Sequence, residues 1–204
     1  FTCQVAVLLM VALKFGRCGR LSCERGREIG KAIAELPELV ECVLEQDDTI
    51  AKEAERWADV QHAFFIGRGY QYPVALEGAL KLKEISYIHA EGYHAAELKH
   101  GPIALLQKDI PVVALLNDAP GKDKTIGNTH ECAARGARII GVVTEGDRAT
   151  AEQVDSVIEV PACPEYIAPV LTAVALQLLS YHVARIRGCA IDQPRNLAKS
   201  VTVE

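Results

Sequence analysis

Four short apolar runs, separated by stretches with helical periodicity, constrain the fold more than any other feature of the sequence. The runs are HAFFIG, IPVVALL, RIIGVVT and SVIEVP, which begin at positions 62, 110, 138 and 156. Near-continuous apolar strands that alternate with helices are typical of a parallel sheet buried on both faces. Because crossovers between parallel strands are right-handed, the sequence predicts a doubly wound α/β sandwich over residues 61–204.

Helical periodicity fills the remaining intervals of the chain. Between and after the strands, the helical patterns cover residues 73–87, 122–135, 150–154 and 168–187. Before the first strand, apolar residues recur at helical spacing in three segments, at about residues 2–16, 24–36 and 38–57. We therefore predict a helical appendage and linker over residues 1–60, followed by the α/β domain over residues 61–204.

The charge balance argues against a nucleic-acid partner. The 204 residues contain 22 Lys and Arg against 27 Asp and Glu, which gives a formal net charge of −5, and they contain no basic block. Nucleic-acid-binding domains normally present a clustered basic surface, whereas a small anionic ligand needs only a local positive site. We expect no nucleic-acid partner and leave small anionic ligands open.

The early apolar run and the cysteines predict a cytoplasmic chain without a membrane partner. The run Val5–Leu13 is too short to cross a bilayer, and basic residues follow it, unlike in a secretory signal. Seven scattered cysteines without a CxxC pair favour reduced, mostly buried thiols. Since the chain begins with Phe1 and not with Met, we also expect a fragment of a longer protein.

Three charged residues share one face of the helix predicted over residues 73–87. Glu77, Lys81 and Glu84 are spaced four and then three residues apart, which places them side by side on a helix. Such a row is commonly an exposed ion-paired stripe that contributes only tenths of a kcal/mol per pair (about 0.2–0.5). It is also the arrangement of a carboxylate base beside a lysine, so both interpretations stay open.

Three histidines follow closely, but their spacing does not indicate a metal site. His89, His94 and His100 fit neither an HExxH motif nor a compact Cys/His zinc arrangement, and no cysteine lies nearby. We therefore predict no metal. His100 directly precedes Gly101-Pro102, which ends regular structure, so it is either an ordinary surface histidine or an imidazole presented from a turn.

The phosphate-binding and covalent-catalysis motifs are weak or absent. Gly67-Arg68-Gly69 follows the first strand, but Tyr72 stands where a dinucleotide fingerprint needs its third glycine, so a tight turn is favoured and no cofactor is predicted. Lys199 lies in a C-terminal tail without periodicity. A lysine there is either a solvated charge or, in a partly desolvated pocket, a Schiff-base lysine.

Three segments resemble one enzyme family along their whole length. They are GRGYQYPVALEGALKLKEISYIHAEGYHAAELKHGPIAL, VLTAVALQLLSYHVARIRG and DQPRNLAKSVTVE. They are similar to the C-terminal part of the glutamine–fructose-6-phosphate aminotransferases (isomerizing), also called glucosamine-6-phosphate synthases. The resemblance implies that residues 61–204 are a second sugar-isomerase (SIS) domain, a flavodoxin-like sandwich with a catalytic tail. Residues 1–60 then correspond to the last helix of a first SIS domain and the helical connection.

The resemblance also implies roles for four side chains. The family makes glucosamine 6-phosphate from fructose 6-phosphate and glutamine, the entry step to UDP-N-acetylglucosamine. By position, Glu84 matches the base that moves a proton between C1 and C2 of the sugar, and Lys81 matches the lysine beside it. His100 matches the histidine that opens the sugar ring and reaches the partner subunit's active site. Lys199 matches the lysine that forms a Schiff base with the open-chain sugar.

The family uses parts that these 204 residues lack. Its first SIS domain holds the sugar phosphate with Ser/Thr-rich loops, and its N-terminal glutaminase domain releases ammonia. We therefore expect a cytoplasmic homodimer whose partners are fructose 6-phosphate, glucosamine 6-phosphate and those two domains, with no metal, cofactor or nucleic acid. The chain by itself should be inactive. The alternative is a SIS module that binds sugar phosphate or dimerises without catalysis.

Overall fold

The computed structural model describes residues 1–197, and its centre is a five-stranded parallel sheet in the order β2-β1-β3-β4-β5. The strands are β1 (His62–Gly67), β2 (His89–His94), β3 (Pro111–Leu116), β4 (Arg138–Thr144) and β5 (Ser156–Val160). All four strand pairs are parallel. This is the flavodoxin-like order, whose direction of winding reverses between β1 and β3. The predicted doubly wound α/β class is confirmed.

Eight α-helices surround or precede the sheet in the described part of the chain. They are α1 (Thr2–Cys18), α2 (Cys23–Ala34), α3 (Leu36–Leu44), α4 (Asp47–Ala54), α5 (Gln71–Ser86), α6 (Lys122–Ala133), α7 (Arg148–Ala151) and α8 (Ala168–Ile186). Three short 3-10 helices complete the list, at Glu55–Trp57, Ala95–His100 and Pro102–Leu105.

The two faces of the sheet have separate apolar cores. Successive strand residues point to opposite faces, so Phe65 joins the core covered by α5 and α8, while Phe64 joins the other. On that second face, α6 and the 3-10 helix Ala95–His100 supply the cover, with Leu98 fully buried. The candidate residues on α5 and His100 therefore belong to opposite layers.

The helices before the sheet pack into the first of these cores. Leu36, Val43, Ile50 and Trp57 are buried in the same cluster as the side chains of α5 and α8. In contrast, α1 has no buried residue. The division of the chain at residue 60 stays a prediction, while α3 and α4 contact β5 and pack against α8.

The strand β2 was missed by the sequence prediction, which treats this stretch as a helix end. Its sequence HAEGYH has no apolar run because β2 is an edge strand, which among the residues that the structure describes pairs with β1 alone. Charged residues on edge strands discourage pairing with other chains. Gly92 allows α5 to approach closely, since a Cβ atom there would lie 2.7 Å from the Cα atom of Leu76.

The final helix, α8, is long and apolar enough to span a membrane by composition alone. However, 67% of its most apolar window is buried inside the domain. Its side chains pack against α5, α4 and α3. This is the pattern of a core helix.

The expectation that most thiols are buried is wrong. All seven cysteines are free, and Cys3, Cys18, Cys23 and Cys42 are exposed because they lie on the outer sides or ends of the first three helices. Only Cys132 is fully buried. Burial raises the pKa of the Cys132 thiol to about 11.

Candidate active site

The helix α5 brings the predicted charged row together. The Lys81 Nζ atom lies 2.5 Å from Glu84 Oε2 and 3.8 Å from Glu77 Oε1. The opposite side of the helix is buried, with Leu82 in the first core. The spacing-based prediction that these side chains share one face therefore agrees with the geometry, while their catalytic role stays a prediction.

The Lys81–Glu84 pair is neither fully exposed nor buried. The two side chains are 32% and 29% exposed, whereas the Glu77 side chain is 14% exposed. An ion pair this open to water contributes at most about 1 kcal/mol to stability. The Glu84 carboxylate thus lies beside the Lys81 ammonium group and remains partly open to solvent.

His100 lies in a different layer from this pair. It ends the 3-10 helix Ala95–His100, which is anchored through the buried residues Ala95 and Leu98 to the second core. Its own side chain is exposed and has no hydrogen-bond partner within residues 1–197. Within one chain, the described structure does not bring His100 to Glu84.

Lys199 lies outside the described residues, but the chain leading to it reaches α5. The backbone N–H of Arg195 donates to Tyr87 Oη at 2.9 Å, and Tyr87 directly follows the last residue of α5. The sequence prediction missed this contact because its two residues are 108 positions apart and no motif marks either one.

The comparison with protein families decides the assignment. Residues 58–187 match the family model of the SIS domain, which covers most of the chain. The chain belongs to the SIS-domain family. The resemblance noted from the sequence segments is thereby confirmed at the level of this domain.

Relatives extend the match over the whole chain. It is 49% identical over 204 residues to the glutamine–fructose-6-phosphate aminotransferase [isomerizing] of Chlorobaculum tepidum, and 51% identical over 208 residues to that of Gloeobacter violaceus. Both alignments include all of this chain but only 33% and 34% of those proteins. The SIS chain thus spans about a third of the length of these relatives.

Two solved structures are also similar to this chain. The C-terminal domain of glucosamine-fructose-6-phosphate aminotransferase from Francisella tularensis matches with a TM-score of 0.80 and 43% identity. That match covers 85% of this chain and 49% of the other. Glucosamine-6-phosphate deaminase from Thermotoga maritima, at 24% identity and a TM-score of 0.67 over 97% of this chain and 57% of the other, shares the fold.

The turn after β1 in this SIS domain has the geometry of a tight turn. A Cβ atom at Gly67 would lie 2.5 Å from the carbonyl oxygen of Gln71, so the chain folds back closely there. Arg68 extends across to α6, where its Nη2 atom donates to Asn128 Oδ1 at 2.9 Å. The arginine thus ties the turn to α6.

His89, His94 and His100 of the SIS domain do not converge on one point. His89 and His94 occupy the two ends of β2, and His100 ends the following 3-10 helix. Within residues 1–197, no group of three His, Cys, Asp or Glu side chains is placed to hold a metal ion.

Proposed function

We propose that this SIS domain supplies the proton-transfer machinery of an enzyme that makes glucosamine 6-phosphate. The overall reaction joins fructose 6-phosphate and glutamine-derived ammonia and releases water. The names of relatives that are about half identical over the whole chain support this assignment. The chain spans about a third of the length of those relatives. In the proposal, the complete reaction also needs a glutaminase domain and a first SIS domain.

The chemistry requires a base and an electron sink together. A proton on a sugar carbon is poorly acidic until the neighbouring carbon is a carbonyl or iminium group. In the proposal, Lys199 condenses with the C2 carbonyl of the open-chain sugar to give an iminium and water, and ammonia then displaces the lysine to leave an imine at C2. Glu84 removes a proton from C1 and delivers it to C2, which leaves an aldehyde at C1 and an amine at C2. The imidazole of His100, contributed to the partner's site in a homodimer, moves the proton that opens the ring.

The Lys81–Glu84 pair is the observation that carries this proposal. A base must be held in one position yet remain accessible, and the 2.5 Å contact and partial exposure satisfy both conditions. The lysine also places a positive charge where negative charge develops on the sugar oxygens during proton transfer.

Deuterium exchange in the intact protein, with all of its domains, tests the role of Glu84. In D2O, the unmodified enzyme should incorporate solvent deuterium at the carbons between which the proton moves. Glu84→Gln keeps the shape of the side chain but removes the base, so exchange should fall by about 10²–10⁴-fold. Mass spectrometry of the recovered sugar phosphate gives the rate.

Glu91→Gln is the matched control for this experiment. Glu91 also pairs with a lysine, Lys83, at 3.7 Å, but it lies on the edge strand β2. Its exchange rate should stay near that of the unmodified protein. Exchange by Glu84→Gln at the unmodified rate would contradict the assigned base.

Activity and thermal-shift measurements on the isolated 204-residue chain distinguish a catalytic domain from a binding module. We expect a dimer that forms no glucosamine 6-phosphate from fructose 6-phosphate and ammonia, and that shows little thermal shift with millimolar sugar phosphate. A ligand that binds only the folded state raises its stability, so a clear shift without turnover would favour a binding module instead. Turnover by the isolated chain would show that the first SIS domain is dispensable.

A further inference from the structure

The residue that ends α5 has an unusual backbone for its type. Tyr87 adopts the left-handed conformation, with φ of 62°, which is uncommon for residues other than glycine. This conformation ends the helix at Ser86. A strained position of this kind persists only when contacts around it compensate for the cost.

The first contacts with this end of α5 come from the C-terminal end of α8. Gly188 adopts φ of 67°, and the N–H of Cys189 donates to the Ala184 carbonyl at 2.9 Å, so the helix closes with a Schellman turn. Just before it, Arg187 donates from Nε to the carbonyl of Ser86 at 3.2 Å. The end of α8 is thereby fastened to the last residue of α5.

The tail then returns to the same end of α5. The guanidinium carbon of Arg195 lies 4.0 Å from the centre of the Tyr87 ring, a close cation–π contact. The N–H of Arg195 also donates to Tyr87 Oη at 2.9 Å. One tyrosine therefore holds both the backbone and the side chain of Arg195.

We propose that Tyr87 is a positioning residue that holds the C-terminal tail so that Lys199 acts at the site served by Glu84. This inference rests on the proposed function. Tyr87 follows Glu84 by three residues, and Lys199 follows Arg195 by four. Four residues of chain span at most about 14 Å, so fixing Arg195 keeps the lysine within a short distance of the end of α5.

Reductive trapping on the intact protein tests the inference. With fructose 6-phosphate present, cyanoborohydride reduces a lysine iminium to a stable amine, and peptide mass spectrometry locates it. Tyr87→Phe loses the acceptor oxygen but keeps the ring, so the trapping rate at saturating sugar should fall about 5-fold. Tyr87→Leu loses both contacts, so its trapping rate at saturating sugar should fall at least about 10-fold. The sugar concentration at half-maximal rate should stay unchanged, because other residues hold the phosphate.

Tyr166→Phe is the matched control. Tyr166 also lies under an arginine, with Arg25 at 5.6 Å from its ring, but it precedes the far end of α8. The 19 residues of that helix separate the two ends by about 28 Å. This variant should trap sugar at the unmodified rate.

The outcomes distinguish the two proposals. Slower trapping by both Tyr87 variants, with unchanged half-saturation, supports the positioning role. If both Tyr87 variants trap sugar as fast as Tyr166→Phe does, the positioning role is overturned, while the proposed function stands. If the unmodified protein gives no adduct on Lys199, the proposed function fails, and the positioning role fails with it.

Discussion

At the scale of single residues, Lys122 connects the loops that follow β3 and β4. Its Nζ atom lies 2.6 Å from Asp118 Oδ1 and also contacts Asp147 Oδ2. Asp147 accepts the N–H of Thr150 at 3.2 Å as the cap of α7. The hydrogen bond from Lys122, followed by those from Thr150, lowers the pKa of the Asp147 carboxyl to about 2.

This lowered pKa predicts how stability changes with pH. Because the pKa of Asp147 is lower in the folded protein than the usual value of about 3.9, its stabilising contribution is present above pH 4 and declines as pH falls towards 2. Asp147→Asn keeps a capping oxygen but loses the charge. The difference in unfolding free energy between the unmodified chain and this variant should therefore be smaller at pH 3 than at pH 7.

Urea unfolding at the two pH values measures this difference. Asp123→Asn is a suitable control, because Asp123 is exposed and forms no ion pair within residues 1–197. Its difference from the unmodified chain should be small at both pH values. If the difference in unfolding free energy between the unmodified chain and Asp147→Asn is the same at pH 7 and pH 3, the assigned role of the Asp147 charge is contradicted.

At the scale of elements, burial determined what the sequence could predict. The runs at 62–67 and 138–144 coincide with β1 and β4, because central strands buried on both faces must be apolar throughout. The edge strand β2 carries no such signal. The shared face of Glu77, Lys81 and Glu84 on α5 could be predicted from helical spacing. The contact of Tyr87 with Arg195 could not, because it depends on the relative positions of the ends of α5 and α8, which local sequence patterns do not indicate.

The close approach of α5 to β2 can be tested at Gly92. In Gly92→Ala, the new Cβ atom would lie 2.7 Å from the Leu76 Cα atom and 2.8 Å from the Ala75 carbonyl oxygen. Backbone cannot yield as a side chain does, so α5 must shift. Overpacking of this kind costs about 1–3 kcal/mol, and we expect a loss of that size in urea unfolding.

Gly127→Ala provides the opposite case. Gly127 lies within α6, and a Cβ atom there would meet nothing within 4 Å. Alanine is favoured over glycine in a helix by about 0.5–1 kcal/mol, so this variant should be as stable as the unmodified chain or more stable. If Gly92→Ala and Gly127→Ala change the unfolding free energy equally, the contact between α5 and β2 is not tight.

At the scale of the whole molecule, the candidate residues are divided between two layers. Lys81 and Glu84 lie on α5 over one face of the sheet, and His100 ends a 3-10 helix over the other. Under the proposed function, a sugar beside Glu84 would therefore receive its ring-opening histidine from another subunit. In a homodimer with two-fold symmetry, the same surface of the second subunit can supply it.

Subunit mixing tests this arrangement in the intact enzyme. Glu84→Gln and His100→Ala should each be inactive alone, because each removes a group from both sites of a symmetric dimer. After random exchange of subunits, half of the dimers are mixed. In each mixed dimer one site combines an intact Glu84 with an intact His100 from the other subunit. Activity should therefore recover to about a quarter of the unmodified level. If His100 acts within its own subunit, both sites of every mixed dimer stay defective, and mixing restores nothing.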